Sequence, residues 1–429
     1  DIYQLEMVKN SKIKYYFDDK VLKLKKYRGK AFIKIFGIPI KVSKKYYSSV
    51  YGPTLKNKTG FFSVRTGSLH KVRALEQWWK MNKAKNFKEF YSILEMNEIP
   101  GYNIGYADKD DNIFYISNGL IPKRNDKYKW TGVLPGNTSE TLWTEYYKTS
   151  ELPQVINPES GYIYNANHSP FKSTSLDENP NPKDFATNMG FETFDNNRST
   201  RIFELVESYD TIDYEAFKTV KYDNKFPTPF NYNFMNINNI MEMNPENYPE
   251  VSDILEQIQK WDRITDANST GAGAYAMFYY TLADKYFYKS YYDRNFSKSL
   301  IADCLREVKN RMIKHFKTTS VKLGDFQKLI RGTKEIPIFG MPDVITAMNA
   351  SKYKDGKVQV THGESYIQLV KFSSKGTEIE SVISYGSSDH KDSPHYNDQM
   401  DIYSKFQTKK MSFDRNYVIK NAEKTYNPE

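Results

Sequence analysis

The stretch "AFIKIFGIPIKV", residues 31–42, alternates apolar and polar side chains around a Gly-Ile-Pro break. A period of two buries one face of a pleated strand and leaves the other in water, so this rhythm demands sheet. Residues 1–70 as a whole read as strands. The run "KVLKLKKYRGK" at 20–30 sets Leu22 and Leu24 against Lys23 and Lys25, as a solvated edge strand does. The rhythm changes at 71. "KVRALEQWWKMNKAKNFKEFYSIL", 71–94, reads as one or two helices. "NIGYADKDDNIFYISNG" then reads as two strands about a "DKDDN" turn. Residues 199–222 and 249–318 are mainly helical in pattern. In "PEVSDILEQIQKW", Val251, Ile254, Leu255, Ile258 and Trp261 make one apolar face. Strands return between 357 and 415, in "VQVTHGESYIQLVKF" and "EIESVISYG". Strand-rich ends around a helical middle predict an α+β protein.

A chain of 429 residues can bury a large core, as two or three domains or one large one. The weakly polar run "GAGAYAMFYYTLA", 271–283, is too short to cross a bilayer, so no membrane span is expected. The net charge of +10 raises the question of nucleic acid. The lysines are spread along the chain apart from 20–30 and no binding module accompanies them, so no nucleic-acid partner is expected. Cys304 is the one cysteine, which excludes an internal disulfide. It repeats at helical spacing with Leu300, Ile301, Leu305 and Val308 and reads as a buried helix residue, not a nucleophile. The start "DIYQLEMVKN" has neither an initiator Met nor a signal region and reads as the middle of a longer protein.

Motif by motif, the usual chemistries fall away. None of the six histidines stands in HExxH or a CxxC-linked pattern. "DKDDN" at 108–112 begins like a calcium loop but lacks the later Gly and Glu, and reads as a hairpin turn. There is no GxSxG, GxGxxG or P-loop, and the adjacent "SSDH" at 387–390 is no triad, since triad members meet in space. What remains is 122–200, rich in Pro, Asn, Gly and Ser, a length of irregular chain that is usually either functional or disordered, and its aromatic residues favour order. Within it "SGYIYNANHSPF" carries Asn165 and Asn167. An amide is a donor that stays neutral at every pH, so it either turns a loop or holds a developing negative charge.

Nine segments in order resemble the β chain of the penicillin acylase family of N-terminal-nucleophile hydrolases, which includes acyl-homoserine lactone and lipopeptide acylases. They are "DIYQLEM", "WWKMNKAKNFKEF", "NIGYADKDDNIFYISNGLIPKR", "WTGVLPGN", "NPESGYIYNANHSPF", "NRSTRIFELV", "LGDFQKLIRG", "HGESYIQLV" and "SPHYNDQM". The resemblance implies an αββα sandwich of two antiparallel sheets between helical layers, with a helical excursion at about 200–320. It implies that residues 1–429 are most of the β chain, lacking the segment whose first residue is the catalytic serine. That serine attacks an acyl amide with its own α-amine as base, and an acyl-enzyme is then hydrolysed. The implied substrate is an acyl-homoserine lactone, a lipopeptide or a β-lactam side chain, with a hydrophobic acyl chain favoured by "GESYIQLV" and "SPHYNDQ". The rival expectation is a non-catalytic relative that serves as a binding or structural subunit.

The same resemblance implies the site. Asn167 stands where a family asparagine donates to the oxyanion; the alternative is that it only caps a loop. Arg198 stands where an arginine orients that amide, with Arg201 as the rival for the position; the alternative is that Arg198 only makes a salt bridge at the helix start. Trp78 and Tyr102 fall where the acyl pocket is lined, or are plain core. Asp1 matches a calcium-binding aspartate, with Asp177 or Glu178 as a downstream partner. The implied partners are an α chain cut from the same precursor and the missing N-terminal segment, in the periplasm or outside the cell.

Overall fold

The computed structural model describes residues 1–230, 238–286 and 296–427. The chain forms two units, Asp1–Asn165 with Ser169–Thr193, and Ala166–His168 with Phe194–Glu429.

In the first unit the strand rhythm becomes β1 (Ile2–Leu5), β2 (Lys14–Phe17), β3 (Lys20–Lys23), β4 (Lys25–Ile35), β5 (Ile38–Ser48), β6 (Pro53–Lys56) and β7 (Phe61–Val64). Helices α1 (Ala74–Met81) and α2 (Phe87–Leu94) follow, then β8 (Tyr102–Ala107), β9 (Ile113–Asn118), β10 (Val133–Pro135) and β11 (Gln154–Ile156). One sheet has the order β10-β1-β7-β6-β5-β4 and a second β11-β9-β8. All pairings in the larger sheet are antiparallel except β1 with β10. The alternation is plain in β1, where Tyr3 and Leu5 are buried and Ile2 and Gln4 face outward. Tyr3 and Leu5 join Tyr15, Tyr51, Phe61 and Leu134 in one core.

Strands β4 and β5 pair without interruption from Lys25↔Ser48 to Ile35↔Ile38. Their turn is Phe36–Gly37, both at positive φ (49° and 82°), one step before the Gly-Ile-Pro break that the sequence suggests. A two-residue loop with both residues at positive φ matches the twist of its flanking strands, and glycine accepts that conformation freely. The period of two puts Ile33, Ile35, Ile38 and Ile40 on one face and Arg28, Lys30, Lys34 and Lys41 on the other. β4 is the outermost strand, and its basic residues discourage pairing with another chain, in keeping with a solvated edge.

The β8–β9 hairpin closes on itself. Asp108 Oδ1 accepts the backbone N–H groups of Asp110 (2.9 Å) and Asn112 (3.1 Å), so "DKDDN" spends its carboxylate on the turn. Against this hairpin lie Phe90 and Leu94 of α2, packed with Phe114, Ile116, Leu152 and Met189.

The second unit holds α3 (Asn197–Val206), α4 (Tyr214–Lys221), α5 (Ser252–Gln259), α6 (Thr270–Tyr286), α7 (Lys298–Phe316) and α8 (Leu323–Phe326). After them come β12 (Gln327–Arg331), β13 (Lys334–Pro337), β14 (Met348–Lys352), β15 (Val358–Gly363), β16 (Tyr366–Ser373) and β17 (Gly376–Ile383), then α9 (Met400–Tyr403), β18 (Lys409–Met411) and α10 (Arg415–Lys420). The sheets run β13-β12-β15-β14, with β12 and β15 parallel, and β16-β17-β18. Each unit's larger sheet therefore carries one parallel pair, β1 with β10 and β12 with β15.

Helix α6 is the centre of this unit. Every residue from Gly271 to Tyr279 is buried, the signature of a helix enclosed on all sides. It packs against α5, α7 and α8. The expected face of α5 is buried as well, from Val251 through Ile258 to Trp261. Cys304 lies buried on α7, its thiol pushed up to about 11 by burial, which suits packing and not nucleophilic attack. Among the described residues no helix is long and apolar enough to cross a membrane.

Close approach explains the small residues of α6. A Cβ on Gly271 would stand 2.6 Å from the Trp261 Cβ, and one on Gly273 would run into the carbonyl oxygen of Val321. Alanine is intrinsically the better helix former by about 1 kcal/mol. Overpacking against backbone outweighs that gain, so Gly273→Ala is expected to lose about 1–3 kcal/mol in chemical denaturation. A stabilised variant would show that the two backbones do not meet there.

Candidate active site

The site begins with the first turn of α3. Asn196 is its N-cap: its Oδ1 accepts the Ser199 N–H (2.9 Å) and the Ser199 Oγ accepts the Asn196 N–H (3.0 Å). The other end of the same amide reaches the loop, where Nδ2 donates to the carbonyl oxygens of Ala166 (2.7 Å) and Asn167 (3.4 Å). One side chain thus starts a helix and ties down a loop.

Within that loop Ala166 and His168 are buried while Asn167 is exposed. The His168 Nδ1 accepts the Ala166 N–H at 3.1 Å, a tight local turn. Asn167 has φ 59°, the left-handed region that asparagine accepts more readily than most side chains. Arg198 Nη1 donates to its Oδ1 at 3.1 Å. Arginine has donors only, so the atom facing it must be the amide oxygen, and the Asn167 NH2 is turned to the opposite side.

Arg198 is itself held. Its Nε donates to Asp343 Oδ1 at 3.3 Å, while Asp343 Oδ2 accepts the backbone N–H (3.0 Å) and side-chain NH2 (2.9 Å) of Asn197. Burial pushes the Asp343 carboxyl above its usual range; the Asn197 N–H and the Arg198 cation oppose that shift. The rival, Arg201, is occupied one turn further along α3 by Asp223 (3.1 and 2.9 Å) and Glu204 (3.1 Å). The structure therefore brings Arg198, and not Arg201, to Asn167. Asn165 parts company with Asn167: it lies in the first unit, its Nδ2 3.4 Å from the Tyr115 hydroxyl.

In the first unit Trp78 on α1 and Tyr102 at the start of β8 meet edge to face, their ring centroids 5.8 Å apart at 88°. They are 48% and 49% exposed, so they are not core. Trp79 points elsewhere on the helix, under the ammonium of Lys83 at 4.7 Å. Two half-exposed rings at right angles offer apolar surface that an acyl group can cover.

The donor set at Asp1 does not fit a calcium ion. The Asp1 carboxylate accepts from Arg124 Nε (3.1 Å) and Nη2 (3.3 Å) and from Trp143 Nε1 (2.7 Å), so a cation already neutralises it. Glu178 caps backbone instead, accepting the N–H groups of Glu159 and Ser160. Among the described residues no group of three or more His, Cys, Asp or Glu is arranged to hold a metal.

Reasoning from sequence missed Asn196 and Asp343. The first had a signal, the N-x-x-S capping pattern in "NNRST". Asp343 had none, because it lies 145 positions from Arg198.

An acyl-homoserine lactone acylase PvdQ of Pseudomonas syringae pv. syringae (strain B728a) is 23% identical over 431 residues, covering 86% of this chain and 53% of the relative. Another PvdQ, of Pseudomonas fluorescens (strain Pf0-1), is 22% identical and covers 96% of this chain and 58% of its own length. The chain thus spans about half the length of these curated relatives. The solved structure of a thermostable penicillin G acylase from Alcaligenes faecalis superimposes with a TM-score of 0.65 over 100% of this chain and 86% of that one, at 16% identity. That likeness gives the fold, the N-terminal-nucleophile hydrolase architecture of mixed helix and sheet. A family model described as penicillin amidase matches residues 1–420, a span that takes in the Asn167 loop, α3 and the Asp343 loop alike, and the chain belongs to that family.

Proposed function

We propose that this chain is most of the catalytic β chain of an enzyme that hydrolyses an acyl amide, and that Asn167 donates to the oxyanion. The observation that carries the reading is the grip of Arg198 on Asn167 Oδ1, which turns the amide oxygen toward the guanidinium and so fixes the orientation of the side chain. A neutral donor held in place helps most where charge appears only in the transition state. The nearby guanidinium adds positive potential without a proton to lose.

In the proposed reaction the nucleophile is an N-terminal serine outside residues 1–429. Its α-amine takes the hydroxyl proton as the oxygen attacks the acyl carbon. The amide C–N bond breaks, the amine leaves with that proton, and water then releases the acid from the acyl-enzyme. The names of the relatives, acyl-homoserine lactone acylase and penicillin G acylase, support acyl-amide substrates. Relatives named for acyl-homoserine lactones cover most of the chain, which favours a hydrophobic acyl tail. Trp78 and Tyr102 are the proposed contacts for that tail. The proposed partners are an α chain from the same precursor and the segment bearing the serine, and the proposed location is the periplasm or the cell exterior.

Asn167→Ala in the intact protein is expected to keep its fold and lose on the order of 10²–10³-fold in kcat on acyl-homoserine lactones, about 3–4 kcal/mol of barrier. Turnover near the parent's would sink the oxyanion role. Trp78→Leu tests the tail contact. Because Trp78 is half exposed, the variant should melt within a few degrees of the parent while its preference among acyl lengths shifts. A variant that unfolds with its length preference unaltered would return Trp78 to a packing role.

A further inference from the structure

We propose that Asp343 is a positioning residue for the Asn167 amide, acting through Arg198. This rests on the reading of Asn167 as an oxyanion donor. A guanidinium is planar and its donors diverge at fixed angles. With Nε held by Asp343 Oδ1 at 3.3 Å, the position of Nη1 is set, and Nη1 meets Asn167 Oδ1 at 3.1 Å. A half-turn of the Asn167 amide would put its NH2 against the guanidinium, donor against donor. Asp343 therefore selects the orientation of a group that it does not touch.

The carboxylate is itself braced. Its Oδ2 takes two donors from Asn197 at 3.0 and 2.9 Å. Its backbone is left-handed, φ 63°, which turns the side chain onto the first turn of α3. The loop that carries it is anchored on both sides, by Phe339 in one core and by Met341 and Val344 in another.

The same helix supplies a control. Arg201 and Asp223 form a second arginine–aspartate pair, with side chains 20% and 15% exposed against 25% and 20% for Arg198 and Asp343. That pair makes no hydrogen bond to Asn167. A carboxylate that merely caps or braces α3 would matter to stability in either place. A carboxylate that aims Asn167 matters to turnover in only one.

The experiment compares Asp343→Asn, Asp223→Asn, Asn167→Ala and the double variant Asn167→Ala/Asp343→Asn in the intact protein, by thermal melting and by steady-state hydrolysis of a fatty-acyl anilide. Asparagine accepts the left-handed backbone and keeps the shape, while losing the charge that holds Nε. Asp343→Asn should lower kcat by roughly 10–100-fold, as loss of alignment does. Its KM should stay within about twofold. Asp223→Asn should lower Tm and keep kcat. In the Asn167→Ala background Asp343→Asn should cost no further turnover, because there is no amide left to aim. Parent-like kcat in Asp343→Asn beside a damaged Asn167→Ala overturns the inference, and so do additive losses in the double variant or equal kcat losses in the two aspartate variants. Normal turnover in Asn167→Ala overturns the oxyanion reading and this inference with it. If Asp343→Asn does not fold, Arg198→Lys reads the same link. Lysine keeps the cation but presents one ammonium in place of a rigid fork, so kcat should fall with the charge retained; an unchanged kcat overturns the proposal.

Discussion

The hold of the first turn of α3 on Ala166 and Asn167 is the interaction on which the site depends. A helix N-terminus has backbone donors to satisfy, and Asn196 meets that need with its oxygen while its nitrogen fastens the loop carbonyls. The loop's left-handed residue is then free of the usual penalty for a side chain, because asparagine occupies it. Helix capping, loop shape and side-chain direction are settled by adjacent residues of one turn, Asn196, Asn197 and Arg198. Such coupling fixes a geometry through few contacts, which is what the proposed oxyanion donor would need in order to act without rearrangement.

That turn is rigid because of what stands behind it. The second unit is built about α6, whose glycines admit the Trp261 side chain at Gly271 and the backbone of Val321 to Leu323 at Gly273. From α8 the chain passes through β12 and β13 into the loop with Asp343, which is clamped between the α6 core and the core of Leu329, Met348 and Val360. Packing at interior density leaves such a loop little room to shift. A left-handed aspartate there is a local cost that the surrounding cores sustain, and the return is a carboxylate directed at Arg198.

Much of the fold was legible. The period-two runs before residue 70 became strands, the helical spacing around Ile254 and Leu255 became the buried face of α5, and "DKDDN" became a self-bonded hairpin turn. These are patterns written within a few residues of one another. The turn of the β4–β5 hairpin was misplaced by one step, because Pro39 looked like the breaker while positive φ at Phe36 and Gly37 did the turning. Asp1 shows the opposite limit. Its carboxylate type suits a cation of either kind, and only the folded chain puts the guanidinium of Arg124 beside it.

The sequence by itself determined where the chain would be strand and where helix and that Cys304 would be packed, because periodicity, capping and turn chemistry act over a few residues; Asn167, Trp78 and Tyr102 were singled out by the family resemblance and by no local pattern. The tertiary structure alone decided that Arg198 and not Arg201 meets Asn167, that Trp78 and Tyr102 meet edge to face and stay half exposed, and that Asp343 stands behind the pair. The two arginines lie three positions apart on one helix, nearly the same face, and no local pattern separates them. What separates them is which carboxylate arrives, Asp343 or Asp223, and that is settled by how distant segments pack.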